Sequence, residues 1–195
     1  YGEVTGPLTI PAFQIPASDL FCYSKDIAKA KDLLAQAGFA DGLTLKTIVA
    51  SAEPPTALSE AQNLQAQLAE IGITLEIESL ELSVYVDRWL AADFDTAVAL
   101  NGGRPDPYTM YTRYFTKNGN LLKVSGYVDD TLDDLMAQGR AESDSVKRLE
   151  IFTQFQKHLT EMAPWVWLYH DFEYTAQAPY VTGFEPNATD SLYSL

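Results

Sequence analysis

Between Asp26 and Leu100 the hydrophobic pattern alternates between helical and strand periods. Ile27, Ala30, Leu33 and Leu34 recur at helical spacing, with Asp26 placed as N-cap and Gly38 as the stop, so a helix is expected through Ala37. Leu43 to Ala50 follows the Asp41-Gly42 turn and predicts a strand. After Glu53-Pro54-Pro55-Thr56, residues Leu58, Ala61, Leu64, Gln65 and Leu68 fall near one helical face, and Gly72 ends that helix. Ile73, Leu75 and Ile77 alternate with Thr74, Glu76 and Glu78, as in a strand solvated on one side. A helix around residues 83–92 leads into Phe94, Ala97, Val98, Ala99 and Leu100, an apolar run read as a strand covered on both faces. Helix and strand in alternation favour a largely parallel sheet with helical crossovers.

That last run breaks into Asn101, Gly102, Gly103, Arg104, Pro105, Asp106 and Pro107. Two glycines allow close backbone approach and the prolines stiffen the exit. In an open α/β sheet the crevice outside the carboxyl ends of strands is where a ligand docks. The glycines are no dinucleotide fingerprint, because the third glycine is missing and prolines interrupt the helix start.

The flanks are less periodic. Residues 1–25 carry Pro7, Pro11 and Pro16 among apolar positions and read as an extended lead-in that needs a body to lie on. Tyr108, Tyr111, Tyr114 and Phe115 crowd an aromatic, polar stretch. A helical block spans residues 129–162, broken near Ser143-Asp144-Ser145, where Ser143 or Asp144 can cap the second helix and Pro164 follows its end. Residues 165–169 and 172–176 look strand-like, with His170-Asp171 as a turn between them. Residues 179–195 form a Pro, Gly and Asn tail.

Composition narrows the function. Among 195 residues, 27 acidic side chains oppose 13 basic ones, a formal net charge of −14 that repels phosphate backbones and anionic lipid, so no nucleic acid partner is expected. Cys22 stands alone, which excludes an internal disulfide and a Cys-rich metal site. No apolar run approaches the ~20 residues of a membrane span. The opening at Tyr1 without a Met reads as a mature or excised piece, so the missing signal peptide says little of location.

Catalytic chemistry is thin. Only His158 and His170 could partner Cys22, and His170-Asp171 lacks the nucleophile elbow of a triad. Asp129, Asp130, Asp133 and Asp134 open a helix and are better read as a solvated, dipole-favoured cap than as metal ligands. The expectation is therefore no enzyme, no metal and no cofactor. Trp89, Trp165 and Trp167 are core or interface residues.

Several ordered runs carry a resemblance: residues 26–34 followed by Ala37-Gly38-Phe39 and Asp41-Gly42; residues 64–68 with Ile71-Gly72-Ile73; Asp93-Phe94-Asp95; Pro105-Asp106-Pro107; Ser125-Gly126-Tyr127; and Ala163-Pro164-Trp165 with Leu168-Tyr169. Together they resemble the C-terminal part of the family 5 extracytoplasmic solute-binding proteins, receptors of dipeptide, oligopeptide and nickel ABC importers. The resemblance implies an α/β fold of the periplasmic-binding-protein type II, a lobe with a mixed, mostly parallel sheet flanked by helices. It divides the chain into an interlobe lead-in at 1–25, a lobe at 26–178 and a tail at 179–195 that returns to an N-terminal lobe of the same receptor. It also implies a periplasmic or extracytoplasmic location, a small polar solute as ligand and an ABC permease as partner.

Peptide binders of the family resemble Trp-x-x-Asp-x-x-Asp-Pro after the strand, the first Asp pairing with the peptide's ammonium. Here that acid falls at Gly103 or Arg104, Asn101 lies near the aromatic position, and Leu82 replaces an upstream aromatic. The expected ligand-binding set is Asn101, Gly102, Gly103, Arg104 and Asp106, with Tyr108 and Tyr85 as neighbours. The alternative is an interaction domain in which the aromatic residues from Tyr108 to Phe115 and around Trp165 dock a protein partner.

Overall fold

A computed structural model describes residues 2–4, 6–21, 23–172, 174 and 176–183. Cys22, and the part of the expected tail beyond residue 183, lie outside the described residues. In chain order the elements are β1 (Gly2–Glu3), a 3-10 turn (Pro11–Phe13), α1 (Ala17–Leu20), α2 (Ile27–Gln36), β2 (Leu43–Ala50), α3 (Ala57–Ala69) and β3 (Ile73–Leu80). There follow α4 (Leu82–Ala91), β4 (Thr96–Ala97), α5 (Pro107–Phe115), α6 (Leu122–Ser125), α7 (Asp130–Ala141), α8 (Ser145–Met162) and β5 (His170–Asp171). They divide into a sheet unit, Ser24–Gly102, and a helical unit made of residues 1–23 and those from Gly103 onward.

In the sheet unit β2 is central and every pairing is parallel, in the order β3-β2-β4, with Leu43 opposite Ile73 and Ile48 opposite Ala97. The expected period holds because each face of β2 has its own cover. Val49 and Val98 pack with Ala57 and Ala61 of α3, while Ile48 and Ala50 pack with Tyr85 and Trp89 of α4. Asp26 caps α2 as expected, accepting from the Lys29 N–H at 2.9 Å. None of α2's side chains is fully buried, and Leu33 of its apolar stripe is exposed.

The run from Phe94 to Leu100 departs from expectation. It is not a strand covered on both faces: only Thr96 and Ala97 pair with β2, and Leu100 is 64% exposed. Side chains do the stitching on this edge. Asp95 accepts from the Lys46 N–H at 2.8 Å, Thr47 and Thr96 share a hydroxyl hydrogen bond of 2.7 Å, and the Val98 N–H reaches the Ile48 carbonyl.

The helical unit is built on aromatic packing. Tyr111, Phe115, Phe152 and Phe155 are fully buried, and Trp165 meets Tyr114 and Phe115 edge-on at 4.9 Å. Tyr111, Tyr114 and Phe115 are therefore core and offer no docking surface, whereas Tyr108 and Trp165, the other aromatics of the interaction-domain alternative, are half-buried. The stretch after Asp106 is a helix, α5, that aromatic content concealed although Asp106-Pro107 is a proper N-cap and N1 pair. Asp144, not Ser143, caps α8, accepting from the Val146 and Lys147 N–H groups.

The lead-in finds its body here. Buried Gln156 accepts from the Leu8 N–H and donates to the Phe13 carbonyl, Thr160 donates to the Leu20 carbonyl, and the Tyr111 hydroxyl donates to the Pro7 carbonyl. The expected turn at His170-Asp171 is instead β5, paired antiparallel with Gly2 and Glu3. Residues 165–169 and the described part of 172–176 are not strands. A pairing across nearly the whole chain leaves no local pattern to read.

Candidate functional site

At the carboxyl edge of the sheet unit, β2 ends at Ala50, β3 at Leu80 and β4 at Ala97, and the Ser51 N–H still reaches the Leu80 carbonyl at 2.8 Å. The exit of β4 is fixed by Tyr85, whose buried hydroxyl donates to the Val98 carbonyl at 2.8 Å. Burial pushes that phenol up to about 12, so it stays a donor. Tyr85, expected as a ligand neighbour, is thus a core residue that positions the segment leading to Asn101.

Asn101 is the anomaly. Both its amide nitrogen and its amide oxygen are buried, and neither has a hydrogen-bond partner. Buried side-chain polar atoms are nearly always satisfied, and each unsatisfied one costs about 1–3 kcal/mol. Gly102, the last residue of this unit, is exposed, and a side chain there would meet nothing within 4 Å.

In the helical unit Gly103 and Arg104 are exposed, and Arg104 has no hydrogen-bond or ion-pair partner among the described residues. Asp106 is different. One carboxylate oxygen accepts from the Tyr108 and Thr109 N–H groups at 3.0 and 3.2 Å, and the other meets the Arg148 guanidinium at 2.6 Å. Arg148 in turn donates to the Gly139 carbonyl and stacks over the Phe152 ring. Expected as a ligand contact, Asp106 holds the start of α5 against α8, with its acceptors engaged inside the protein. Tyr108 is half-buried beneath the Arg140 guanidinium, 5.4 Å from ring centre to charge. Sequence reasoning passed over Arg148, since one arginine on an amphipathic helix carries no signal of its partner.

Of the four acids of residues 129–134, Asp129 caps α7 and Asp130 and Asp133 lie in its first turn. Asp129 is the N-cap, accepting from the Leu132 N–H at 2.7 Å, and its second oxygen meets Tyr127 at 2.7 Å and His158 at 2.6 Å. Burial pushes the Asp129 carboxyl up, but the hydrogen bonds from His158, Leu132 and Tyr127 outweigh it and hold the group below its ordinary 3.8. A depressed carboxyl contributes stability that is present above the unfolded value and lost as pH falls through the folded one. Asp129→Asn keeps the cap and removes the charge, so urea unfolding of the variant, followed from about pH 5 to about pH 2, should decline less steeply than the wild type. An identical slope would remove Asp129 from the acid response.

Two shallow hollows occur in the sheet unit. One of about 320 Å³ is bordered by Lys46, Arg88 and Asp93 to Asp95, the other of about 390 Å³ by Leu34, Phe39 and Ile71. Neither is lined by Asn101. Among the described residues no group of three His, Cys, Asp or Glu could hold a metal ion, and no helix is long and apolar enough to cross a membrane.

Residues 1–121 match a family model described as bacterial extracellular solute-binding proteins, family 5 Middle. The chain belongs to family 5 of the bacterial extracellular solute-binding proteins. It is 32% identical over 178 residues to a dipeptide-binding protein of Pseudomonas aeruginosa, an alignment covering 87% of the chain and 33% of the relative. Among solved structures it is similar to the ABC transporter-associated periplasmic binding protein DppA of Helicobacter pylori in complex with the peptide STSA. That match has a TM-score of 0.69 and 26% identity, over 86% of this chain and 33% of that one. The substrate-binding protein CtaP of Listeria monocytogenes gives a TM-score of 0.70 and 25% identity, over 84% and 33%. The chain spans about a third of the length of the curated relatives it matches. The fold of these family 5 structures is the type II periplasmic-binding-protein fold, and the parallel sheet flanked by helices is its expression here.

Proposed function

We propose that the chain serves in the substrate-binding component of an ABC importer, outside the cytoplasm, binding a small peptide-like solute without covalent chemistry and delivering it to the permease. Membership of family 5 supports the receptor role, and the names of its relatives support di- and tripeptides as the solute class. The observation that carries the site is the carboxamide of Asn101, buried and unpartnered on the segment that follows the edge strand β4. A donor and an acceptor kept dry and unsatisfied are what a peptide group or other polar solute completes. Gly102, next to it in the same unit, adds backbone that a ligand can approach closely. Tyr85 positions that segment rather than contacting the solute.

Stability and binding should move in opposite directions. Asn101→Leu replaces unsatisfied polar atoms by an apolar group of similar size, so in the full-length protein the free form should be as stable as the wild type or about 1 kcal/mol more stable. Calorimetric affinity for an equimolar di- and tripeptide library should fall by at least about tenfold. Unchanged affinity in a well-folded variant would remove Asn101 from the site.

A further inference from the structure

We propose that Asn101-Gly102 is a modification site, at which the folded protein loses the Asn101 carboxamide by spontaneous, non-enzymatic deamidation, whereas the chain's second Asn-Gly pair, Asn118-Gly119, is protected by its fold. The modification stands apart from the solute-receptor reading above; only its effect on binding rests on that reading.

The reaction needs only water as co-reactant. The backbone nitrogen of Gly102 attacks Cγ of Asn101 and gives up its proton. As the new N–Cγ bond closes a cyclic imide, the Cγ–Nδ2 bond breaks and Nδ2 leaves with that proton as ammonia. Water then opens the imide at either carbonyl. Opening at Cγ leaves an aspartate, and opening at the main-chain carbonyl leaves an isoaspartate whose chain runs through Cβ and Cγ. Either product puts a negative charge where the chain had a neutral amide.

Attack requires a backbone nitrogen that is free and a carboxamide that can turn onto it. At Asn101 both conditions are met. The Gly102 N–H has no hydrogen-bond partner among the described residues, Gly102 is exposed to solvent base, and a Cβ built there would meet nothing within 4 Å. Neither amide atom of Asn101 is hydrogen-bonded, so no acceptor retains the leaving nitrogen and no bond is given up when the side chain turns. At Asn118 the nitrogen is already spent. The Gly119 N–H donates to the Thr116 carbonyl at 2.9 Å, and the Gly119 carbonyl accepts from the Leu122 N–H at 3.1 Å. Gly119 is also pressed against the end of α5, where a Cβ would collide with the Arg113 carbonyl oxygen. This turn must open before an imide can close, and opening it costs those hydrogen bonds.

The test incubates the full-length protein in mildly alkaline buffer and follows the proteolytic peptides carrying Asn101 and Asn118 by mass spectrometry, where each deamidation adds about 1 Da. In the folded protein Asn101 should be converted at least about tenfold faster than Asn118, and in the urea-unfolded chain, where both pairs are free, the two rates should converge. Gly102→Ala, which the open space accommodates, should slow the reaction at Asn101 about tenfold or more by hindering the attacking nitrogen. Asn101 remaining intact, equal rates at the two pairs in the folded protein, or a rate at Asn101 untouched by Gly102→Ala would overturn the modification site. The comparison of the two pairs needs no variant, so it decides even if Gly102→Ala fails to fold. Saturation with an equimolar di- and tripeptide library should slow the Asn101 reaction alone, because an engaged carboxamide cannot turn onto Gly102. Deamidation of Asn101 unslowed by bound peptide would contradict the solute reading of Asn101 and leave the modification site standing.

Discussion

Gln156→Leu is expected to destabilise the protein by about 3 kcal/mol. Gln156 is fully buried in α8, where its side-chain oxygen accepts from the Leu8 N–H at 3.3 Å and its nitrogen donates to the Phe13 carbonyl at 2.9 Å. Leucine fills the same volume but strands both backbone groups, and a buried group left unsatisfied costs roughly 1–3 kcal/mol. Other anchors of the lead-in include Thr160 on Leu20, Tyr111 on Pro7 and the pairing of Gly2 and Glu3 with β5, but Gln156 is the side chain that satisfies two of its backbone groups. Urea unfolding should therefore show a lower midpoint, and hydrogen exchange should rise at Leu8. An unfolding free energy within about 0.5 kcal/mol of the wild type would mean that Gln156 does not tether this segment.

Gly139→Val should cost about 2–3 kcal/mol, against the usual expectation for a glycine within a helix. A side chain at Gly139 of α7 would place its first carbon 2.5 Å from the Phe152 ring of α8. That ring cannot easily yield, since it is fully buried and packs edge-on against Phe13 at 5.5 Å and Phe155 at 6.3 Å. The gain in helix propensity is at most about 1 kcal/mol, and overpacking outweighs it. Phe152→Leu in the same chain should relieve part of the cost, a coupling that a double-mutant cycle measures. A Gly139→Val chain as stable as the wild type would show that α7 and α8 do not meet this closely.

These two positions also show why one half of the chain was more legible than the other. In the sheet unit, residues near in sequence supply both the period and its cover, so β2 could be read off to the residue and β3 from its alternation of Ile73, Leu75 and Ile77. Helices α2 and α3 followed from Asp26, the Thr56 opening and Gly72. In the helical unit the deciding partners are far apart: Gln156 with Leu8, Tyr111 with Pro7, Gly2 with Asp171. A single chain read locally shows an aromatic stretch from Tyr108 to Phe115, and only packing reveals that its Tyr111 and Phe115 are core rather than surface.

The site divides in the same way. The strand exit at Asn101 was legible because glycines and prolines punctuate an apolar run. The roles within it were not. Asp106 and Arg104 are both charged residues of one loop, yet Arg148 claims Asp106 and nothing described claims Arg104. Tyr85 reads as an aromatic on a helix, and only its hydrogen bond to the Val98 carbonyl shows that it braces the exit. The carboxamide of Asn101 gives no hint in sequence that it is left without partners.

The central claim is that a solute completes the hydrogen bonding of Asn101. Its most direct measurement is the side-chain amide resonance of Asn101 in the asparagine-labelled full-length protein, followed as the di- and tripeptide library is added. The account predicts that this resonance shifts with the saturation curve found by calorimetry. Saturable peptide binding with the Asn101 resonance unmoved would contradict it.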